Sequence, residues 1–209
     1  MITLGVTGIM GAGKTTVCNM FHEFGIKTIN ADMVAHRLIS PFGQMWWALS
    51  EYFGQGIIDR DTAEIDRQKL GAIVFGDYFL LQKLNILMHP FIIKEIKYQL
   101  RQLQESGARM VVLDAPLLIE VGLNSSVDKV LVVLIEQSNR LVRLHSRDPQ
   151  LTSQHIIQRS CHQMSQEVKQ RYADFVIDNN GNLQKTRKQV NLIFDLSVFF
   201  SYSKVNRCK

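Results

Sequence analysis

The stretch G-I-M-G-A-G-K-T, Gly8 to Thr15, decides the fold of this chain. It fits the phosphate-binding loop pattern G-x-x-x-x-G-K-[ST]. An apolar run from Ile2 to Val6 precedes the loop and predicts a short buried strand, and the residues from Thr15 to Phe24 predict a helix. Strand, glycine-rich turn and helix together form the context in which this motif binds phosphate.

The loop predicts a donor site for a nucleoside triphosphate. Glycines let the backbone approach a phosphate, and the N–H groups of the loop and of the helix N-terminus point at the anion. Lys14 adds a positive charge for the β- and γ-phosphates, and the Thr15 hydroxyl suits Mg²⁺. A glycine-rich turn that binds nothing is the alternative, against which the Lys-Thr pair and the preceding strand argue. The residues expected to contact ATP here are Gly8, Gly11, Ala12, Gly13, Lys14, Thr15 and Thr16.

Composition favours one compact domain with a sizeable core and room for an inserted subdomain. The chain has 209 residues, of which 46% are hydrophobic and 21% are charged. Its formal charge of +5 suits either nucleic acid or a site that holds several phosphates. The three cysteines have no metal-ligand spacing, and we expect reduced thiols in a cytoplasmic protein. No apolar run approaches the roughly 20 residues of a membrane span, so we expect no membrane partner. We further expect a monomer or a weak homo-oligomer.

A carboxylate, Asp32, follows the second predicted strand. Gly25 ends the first helix, Ile26 to Ile29 predicts the strand, and Asn30 and Asp32 stand at its end. Because ligands bind at the carboxyl ends of strands in open α/β sheets, we expect this strand to end beside the phosphate loop. Asp32 would then take a proton from an acceptor hydroxyl or help to hold Mg²⁺. A second interpretation, compatible with the first, makes it the N-cap of a helix over residues 33–39.

Residues 33 to 106 are mostly helical by pattern and predict an inserted subdomain. They separate the second strand from the third by about seventy residues, which is too long for a simple crossover. Asp66 is expected to cap one helix, and His89-Pro90 to divide two others, over 79–87 and from Pro90 onward. The predicted division is a nucleotide-binding core of 1–31 and 108–200, a helical acceptor subdomain of 32–107 and a basic tail of 201–209.

Three further apolar runs predict the rest of a parallel sheet: Met110 to Asp114, Lys129 to Ile135 and Phe175 to Asp178. Asp114 at the end of its run suits a Mg²⁺ shell, as in the Walker B arrangement. Asn179 begins a predicted turn that would touch the adenine of ATP, with a plain turn as the alternative. A last helix is expected from about Leu183 to Leu196.

Three arginines, Arg140, Arg143 and Arg147, are spaced so that they share one face of a predicted helix. Arginine grips phosphate oxygens in a planar, bidentate manner. Since the chain carries a phosphate loop, this row favours a lid over about residues 138–166, with Arg143 and Arg147 stabilising charge in the transition state. A solvated basic face is the alternative. A second lid helix is expected to carry Arg159 to Met164.

An ordered set of motifs resembles that of the dephospho-coenzyme A kinase family over residues 1 to about 195. A phosphate loop alone is common to many unrelated enzymes, whereas this ordered set is specific. After the loop come N-A-D-M-V-A-H (Asn30 to His36), I-D-R-Q-K-L-G-x-x-V-F (Ile65 to Phe75), L-M-H-P (Leu87 to Pro90), D-A-P-L-L-I-E (Asp114 to Glu120), R-L-x-x-R-D (Arg143 to Asp148), R-x-x-x-Q-M (Arg159 to Met164) and A-D-x-V-I-D-N (Ala173 to Asn179).

The resemblance implies transfer of the γ-phosphoryl group of ATP to the 3′-hydroxyl of dephospho-coenzyme A, the last step of coenzyme A biosynthesis, with Mg²⁺ as cofactor. It implies an α/β, three-layer P-loop kinase fold with a five-stranded parallel sheet, a helical acceptor-binding insert and a helical lid. Asp32 matches the proposed base of the family. The resemblance places Asp32, Arg67, His89, Leu117 and Glu120 at the acceptor, and Thr15 and Asp114 at the metal.

Two positions depart from the family pattern. Asn30 stands where the family usually has Asp, which leaves any Mg²⁺-linked role of that position open. Pro149 stands where the family usually has Gly, and because proline cannot adopt a positive φ we expect a different lid turn. Other interpretations are another small-molecule or nucleoside monophosphate kinase, a nucleic-acid-linked ATPase, and a regulatory protein without catalysis. The chain lacks the aromatic-basic interleaving of an RNA-binding platform and keeps Lys14, Thr15 and Asp32, so we expect no nucleic-acid partner and an active enzyme.

Overall fold

The computed structural model describes residues 1–74, 76–148, 156, 160 and 163–205, and for residues 197–205 it describes the backbone alone. The chain forms two compact units. Unit 1 comprises Met1–Asn30 and Leu100–Lys209, and unit 2 comprises Ala31–Gln99. Several sequence-based expectations concern residues outside the described ones, namely the Pro149 turn, Arg159, most of the second lid helix and the last four residues of the tail.

Unit 1 is built on a five-stranded parallel sheet, as predicted, and each predicted apolar run corresponds to one of its strands. The strands are β1 Ile2–Thr7, β2 Lys27–Asn30, β3 Met110–Asp114, β4 Lys129–Leu134 and β5 Phe175–Asp178. Their order in the sheet is β2-β3-β1-β4-β5. Every residue of β1 and β3 is buried, as expected of strands that are covered on both faces.

The expected neighbourhood of β2 and the phosphate loop is wrong, because β3 lies between β2 and β1. Val6 and Asn30 both pair with Asp114, one from each side. The connection from β1 through α1 places β2 two positions away from β1, and β3 later occupies the position between them. Asp114, and not Asn30, is therefore the direct neighbour of the end of β1.

Helices α1 (Lys14–Glu23) and α8 (Leu183–Val205) pack against the sheet of unit 1. Gly25 follows α1 at φ +76°, the left-handed conformation that commonly follows the end of a helix. Helix α8 runs past its predicted end at Leu196, since no glycine or proline interrupts the sequence up to Val205. Among the described residues, unit 1 also contains α6 Gln137–Arg147, the short α7 Gln166–Gln170 and a 3₁₀ turn at Leu123–Ser126.

Unit 2 is helical and has its own hydrophobic core. Asp66 caps the helix α4, Arg67–Val74, as predicted. Its Oδ1 accepts hydrogen bonds from the N–H groups of Gln68 and Lys69 at 3.0 and 3.1 Å. The elements are α2 Ala31–Leu38, α3 Gln44–Phe53, a 3₁₀ turn at Gln55–Ile57, α4 Arg67–Val74 and the first part of α5 Tyr78–Glu105. Core residues include Trp46, Leu49, Ile57, Leu70, Val74 and Leu81.

The predicted break at His89-Pro90 is wrong, because α5 is one helix of 28 residues with Pro90 inside it. A proline in a helix interior removes one backbone hydrogen bond and costs about 3 kcal/mol, an amount that burial of several apolar side chains can offset. Leu81 and Ile96, on either side of Pro90, are both buried. No helix in the described part of the chain is long and apolar enough to cross a membrane.

Candidate active site

The loop between β1 and α1 requires glycine at two positions. Gly13 has φ +89°, and a Cβ there would lie 2.2 Å from Nδ2 of Asn179. A Cβ on Gly8 would lie 2.6 Å from the carbonyl oxygen of Val133. A side chain at either position would force the loop out of this shape. Because glycine has no side chain, the backbone N–H groups of the loop are sterically accessible to a phosphate.

Lys14 opens α1 directly behind the loop. The N-cap residue Gly13 provides no side-chain cap, so the N–H groups of the first helical turn suit an anion. Lys14 Nζ donates to the carbonyl oxygen of Gly8 at 3.1 Å, which folds this cation back over the loop. Thr15 is exposed and Thr16 is half-buried in the same turn. The geometry suits the predicted roles of these residues toward ATP.

The side chain of Asn179 supports the phosphate loop through hydrogen bonds. Its side chain is buried, Nδ2 donates to the carbonyl oxygen of Ala12 at 2.7 Å, and Oδ1 accepts from Thr186 Oγ1 at 2.8 Å. The contact with adenine was predicted for backbone groups of this turn, and of these groups the carbonyl oxygen of Asn179 already accepts a hydrogen bond from Arg143 Nη2 at 2.6 Å. Nothing in the turn signature at 179–181 indicated this bracing role, because the partners lie far away in sequence.

A cavity of about 700 Å³ opens between the loop and the start of α8. Its size matches the range of small-molecule sites. Its lining includes Gly13, Thr16, Arg143, Asn179, Asn182 and Leu183, a mixture of polar groups and one apolar side chain. The cavity therefore has the location and the lining expected of a site for the nucleoside part of ATP.

The arginines of α6 have different environments. Arg140 is buried and donates to the carbonyl oxygen of Met10 from Nε at 2.9 Å and to Ser160 Oγ from Nη2 at 2.6 Å. Burial lowers the pKa of Arg140. Arg143 is half-buried at the cavity, and Arg147 is exposed at the last residue of α6. Arg140 thus holds the phosphate loop in place, a task that the sequence spacing alone did not reveal.

Asp114 lies between β1 and β2 at the carboxyl edge of the sheet. Its carboxylate is buried, and Oδ2 accepts a hydrogen bond from Nδ2 of Asn30 at 3.1 Å. An aspartate at position 30 would place a second carboxylate there and replace this hydrogen bond by like-charge repulsion. The departure from the family pattern therefore changes the electrostatics of Asp114 directly.

Two charged residues, Asp114 and Lys14, affect the pKa of the buried Cys18 thiol. Burial raises the pKa of Cys18 far above its ordinary value, the Asp114 carboxylate raises it further and the Lys14 ammonium lowers it. Asp114, expected to hold Mg²⁺, and Lys14, expected to hold phosphate, thus act in opposite directions on the pKa of one residue of α1.

Three predicted acceptor residues belong to unit 2, each on a different helix. Asp32 is exposed and is the second residue of α2, which begins at Ala31; its interpretation as an N-cap is therefore wrong. Arg67 is exposed at the first residue of α4. His89 is half-buried in the middle of α5, and burial lowers its pKa.

The other two predicted acceptor residues, Leu117 and Glu120, follow β3 in unit 1. Leu117 is half-buried. Glu120 Oε1 accepts from Lys169 Nζ at 2.7 Å and from the Met164 N–H at 2.8 Å, so this oxygen is committed within the protein. Lys169 could not be recognised from sequence, because one lysine in a polar segment is usually a surface residue.

Gln163 is a further residue of the site that the sequence-based assignment missed. Its Oε1 accepts a hydrogen bond from the N–H of Met10 in the phosphate loop at 3.0 Å. Gln163 is the glutamine of the R-x-x-x-Q-M motif, so an indication of its importance was present in the sequence. Gln163, near the end of the segment predicted as a lid, is thus attached directly to the loop.

Comparison with known proteins identifies the relatives of this chain. The family model described as "Dephospho-CoA kinase" matches residues 2–185. The dephospho-CoA kinase of Geobacillus kaustophilus is 40% identical over 90% of this chain and 93% of the relative, and that of Carboxydothermus hydrogenoformans is 36% identical over 96% and 97%. A solved dephospho-CoA kinase from Campylobacter jejuni superposes with a TM-score of 0.69 at 27% identity, covering 93% of this chain and 96% of that chain.

Proposed function

Because the chain belongs to the dephospho-CoA kinase family, we propose that it transfers the γ-phosphoryl group of ATP to the 3′-hydroxyl of dephospho-coenzyme A. The products are coenzyme A and ADP. The observation that carries this proposal is the family match over residues 2–185, which includes the phosphate loop and all five predicted acceptor residues. The glycine-dependent loop geometry and the adjoining cavity support the donor half of the reaction.

The donor half uses backbone and cationic groups of unit 1. The phosphate loop and the start of α1 bind the β- and γ-phosphates through N–H groups other than those of Met10 and Ala12, which donate to Gln163 and Ile9. Lys14 neutralises the negative charge that moves toward the leaving ADP. Arg143, which borders the cavity, binds phosphate oxygens through its planar guanidinium. Arg147 is exposed at the end of α6 and is proposed to reach the phosphates when substrate is bound.

Mg²⁺ fits the residues present at this edge. The ion takes one or two carboxylates together with waters and phosphate oxygens, rather than an all-protein cage. The Asp114 carboxylate and the Thr15 hydroxyl supply that set, and no cluster of three or more His, Cys, Asp or Glu suited to a metal occurs among the described residues. When bound, Mg²⁺ neutralises phosphate charge in the transition state.

Asp32 is proposed as the general base of the acceptor half. Its carboxylate takes the proton of the 3′-hydroxyl while that oxygen forms a bond to the γ-phosphorus and the bond from phosphorus to the ADP oxygen breaks. Arg67, His89 and Leu117 are proposed to contact the acceptor. We assign Glu120 to the framework of the site instead, because its Oε1 already accepts two hydrogen bonds from the protein.

A coupled assay of ADP release tests this function. The chain is supplied with ATP and, in separate reactions, with dephospho-coenzyme A, AMP, CMP or shikimate. We expect acceptor-dependent turnover with dephospho-coenzyme A alone. Turnover of one of the other acceptors without turnover of dephospho-coenzyme A would assign the chain to a different small-molecule kinase.

A further inference from the structure

A fully buried ammonium group, that of Lys169, joins three segments of unit 1. Its Nζ donates to Glu120 Oε1 at 2.7 Å, to the carbonyl oxygen of Pro116 at 2.9 Å and to Thr7 Oγ1 at 3.3 Å. The side chain has no solvent exposure. A protonated lysine has three donors, so this ammonium has all of them satisfied. The Thr7 hydroxyl in turn donates to the same carbonyl oxygen of Pro116, at 3.1 Å.

Each partner of Lys169 borders a part of the site. Thr7 is the last residue of β1 and immediately precedes the phosphate loop. Pro116 stands two residues after Asp114, the proposed Mg²⁺ ligand. Glu120 Oε1 also accepts from the N–H of Met164, which adjoins Gln163, the residue that binds Met10 of the loop.

Stability alone gives no reason for a charge in this place. Burial of an ammonium and a carboxylate costs free energy that their attraction barely returns, and a well-packed apolar pair of similar volume is often as stable. Burial accordingly lowers the pKa of Lys169, while Glu120 opposes that change. What an apolar pair does not reproduce is three directed hydrogen bonds from α7 to two other segments, the end of β1 and the turn that follows β3.

We infer that Lys169 is a positioning residue of the kinase. It fixes the start of the phosphate loop relative to the turn that follows Asp114 and to helix α7, which carries Lys169 itself. The ammonium touches none of the reacting groups. It acts because misplacement of a catalytic group by about 1 Å can cost about 100-fold in rate. This inference rests on the proposed function for its effect on turnover, but its effect on nucleotide binding is independent of the acceptor.

The decisive experiment compares a single with a double variant. Lys169→Met leaves Glu120 buried without its counter-ion, and we expect the melting temperature to fall by about 10 °C. In the double variant Lys169→Met/Glu120→Gln no buried charge is left, while Gln still accepts from Met164, so most of the melting temperature returns. We expect kcat with dephospho-coenzyme A to remain about 10- to 100-fold below the native value, and ADP affinity to remain several-fold weaker. Lys188→Met, at an exposed lysine of α8, is the control.

A stable double variant with kcat and ADP affinity equal to those of Lys188→Met would overturn the inference. If the double variant does not fold, Thr7→Val decides instead, because it removes the Thr7 hydroxyl with its hydrogen bonds to Lys169 and Pro116 and keeps the ion pair. We then expect weaker ADP binding at a nearly native melting temperature, and native affinity would contradict us. If the native protein binds ADP but does not phosphorylate dephospho-coenzyme A, the proposed function fails while the affinity comparison still tests Lys169.

Discussion

The carboxylate of Asp114 and the amide of Asn30 set the electrostatics of the site at the scale of single residues. The amide donates a hydrogen bond to the carboxylate from the neighbouring strand, where a second carboxylate would repel it. The side chain at position 30 thus determines how many carboxylates lie at this edge of the sheet: one when it is Asn, and two when it is Asp. With Asn30, the Asp114 carboxylate has a hydrogen-bond donor from the neighbouring strand in place of a second charge.

Asn30→Asp is therefore expected to create a dependence on Mg²⁺. In metal-free buffer we expect the free energy of unfolding to fall by about 1–2 kcal/mol, because a hydrogen bond is exchanged for repulsion in a buried place. Urea unfolding with and without millimolar Mg²⁺ measures this, and Mg²⁺ should restore most of the loss. Asn191→Asp, at an exposed residue of α8, is the control. Equal behaviour of the two variants would contradict the prediction.

Asp32 is the residue on which the proposed chemistry depends. We expect Asp32→Ala to lower kcat by about 10²- to 10⁴-fold, the usual contribution of a general base, and to leave ATP affinity unchanged. Initial rates of ADP release and a nucleotide titration measure the two effects. Asp61→Ala, at another exposed aspartate of unit 2, controls for loss of surface charge. Near-native turnover of Asp32→Ala would remove Asp32 from the chemistry.

At the scale of secondary-structure elements, α6 shows what a sequence pattern reveals and what it leaves open. The spacing of its arginines predicted a helix with a basic face, and the helix is present. Their separate tasks were beyond prediction, because the partners of Arg140, Met10 and Ser160, lie 130 and 20 residues away. Periodicity reports which side chains share a face, whereas tertiary structure decides what each one meets.

The different environments of these arginines predict different effects on stability. Arg140→Met leaves the Met10 carbonyl and the Ser160 hydroxyl without a partner, and we expect the free energy of unfolding to fall by about 2–3 kcal/mol. Arg147→Met removes an exposed side chain and should change it by less than about 0.5 kcal/mol. Urea denaturation of both variants measures the difference. Equal stabilities would show that Arg140 does not hold the loop.

Helix α5 carries a predicted pH dependence at His89. Burial lowers its pKa in the folded state below the ordinary 6.5, so the unfolded chain takes up the proton first as the pH falls. Stability is then lost as the pH falls through 6.5 toward the folded-state pKa. We expect His89→Gln to lose less stability than the native protein between pH 7.5 and 5.5, as measured by urea midpoints. An identical loss in both proteins would assign the pH dependence to other groups.

At the scale of the whole molecule, the class of fold followed from the sequence but the arrangement of its parts did not. The phosphate loop and the apolar runs predicted five parallel strands, since buried parallel strands are continuous apolar segments. They did not predict that β3 separates β2 from β1, because an apolar run identifies a strand but not the strands with which it pairs. Local rules also ended a helix wrongly at Pro90, where burial of the apolar residues of α5 outweighs the local cost.

The site was predicted in proportion to how local its chemistry is. Gly8, Gly13 and Lys14 act within one loop and could be assigned from a motif. Lys169 acts through partners about 50 and 160 residues away, and its type and neighbourhood in sequence resemble those of a surface lysine. The framework that holds a catalytic loop is therefore harder to predict than the loop itself.

The fate of the γ-phosphoryl group tests the central claim most directly. ATP labelled in its γ-phosphoryl group is incubated with the protein and dephospho-coenzyme A, and the label is located by separating the products and treating them with a 3′-specific phosphatase. We predict that the label appears in coenzyme A and that the phosphatase releases all of it. Label that stays in ATP, appears only as inorganic phosphate, or resists the phosphatase in the product would contradict the account.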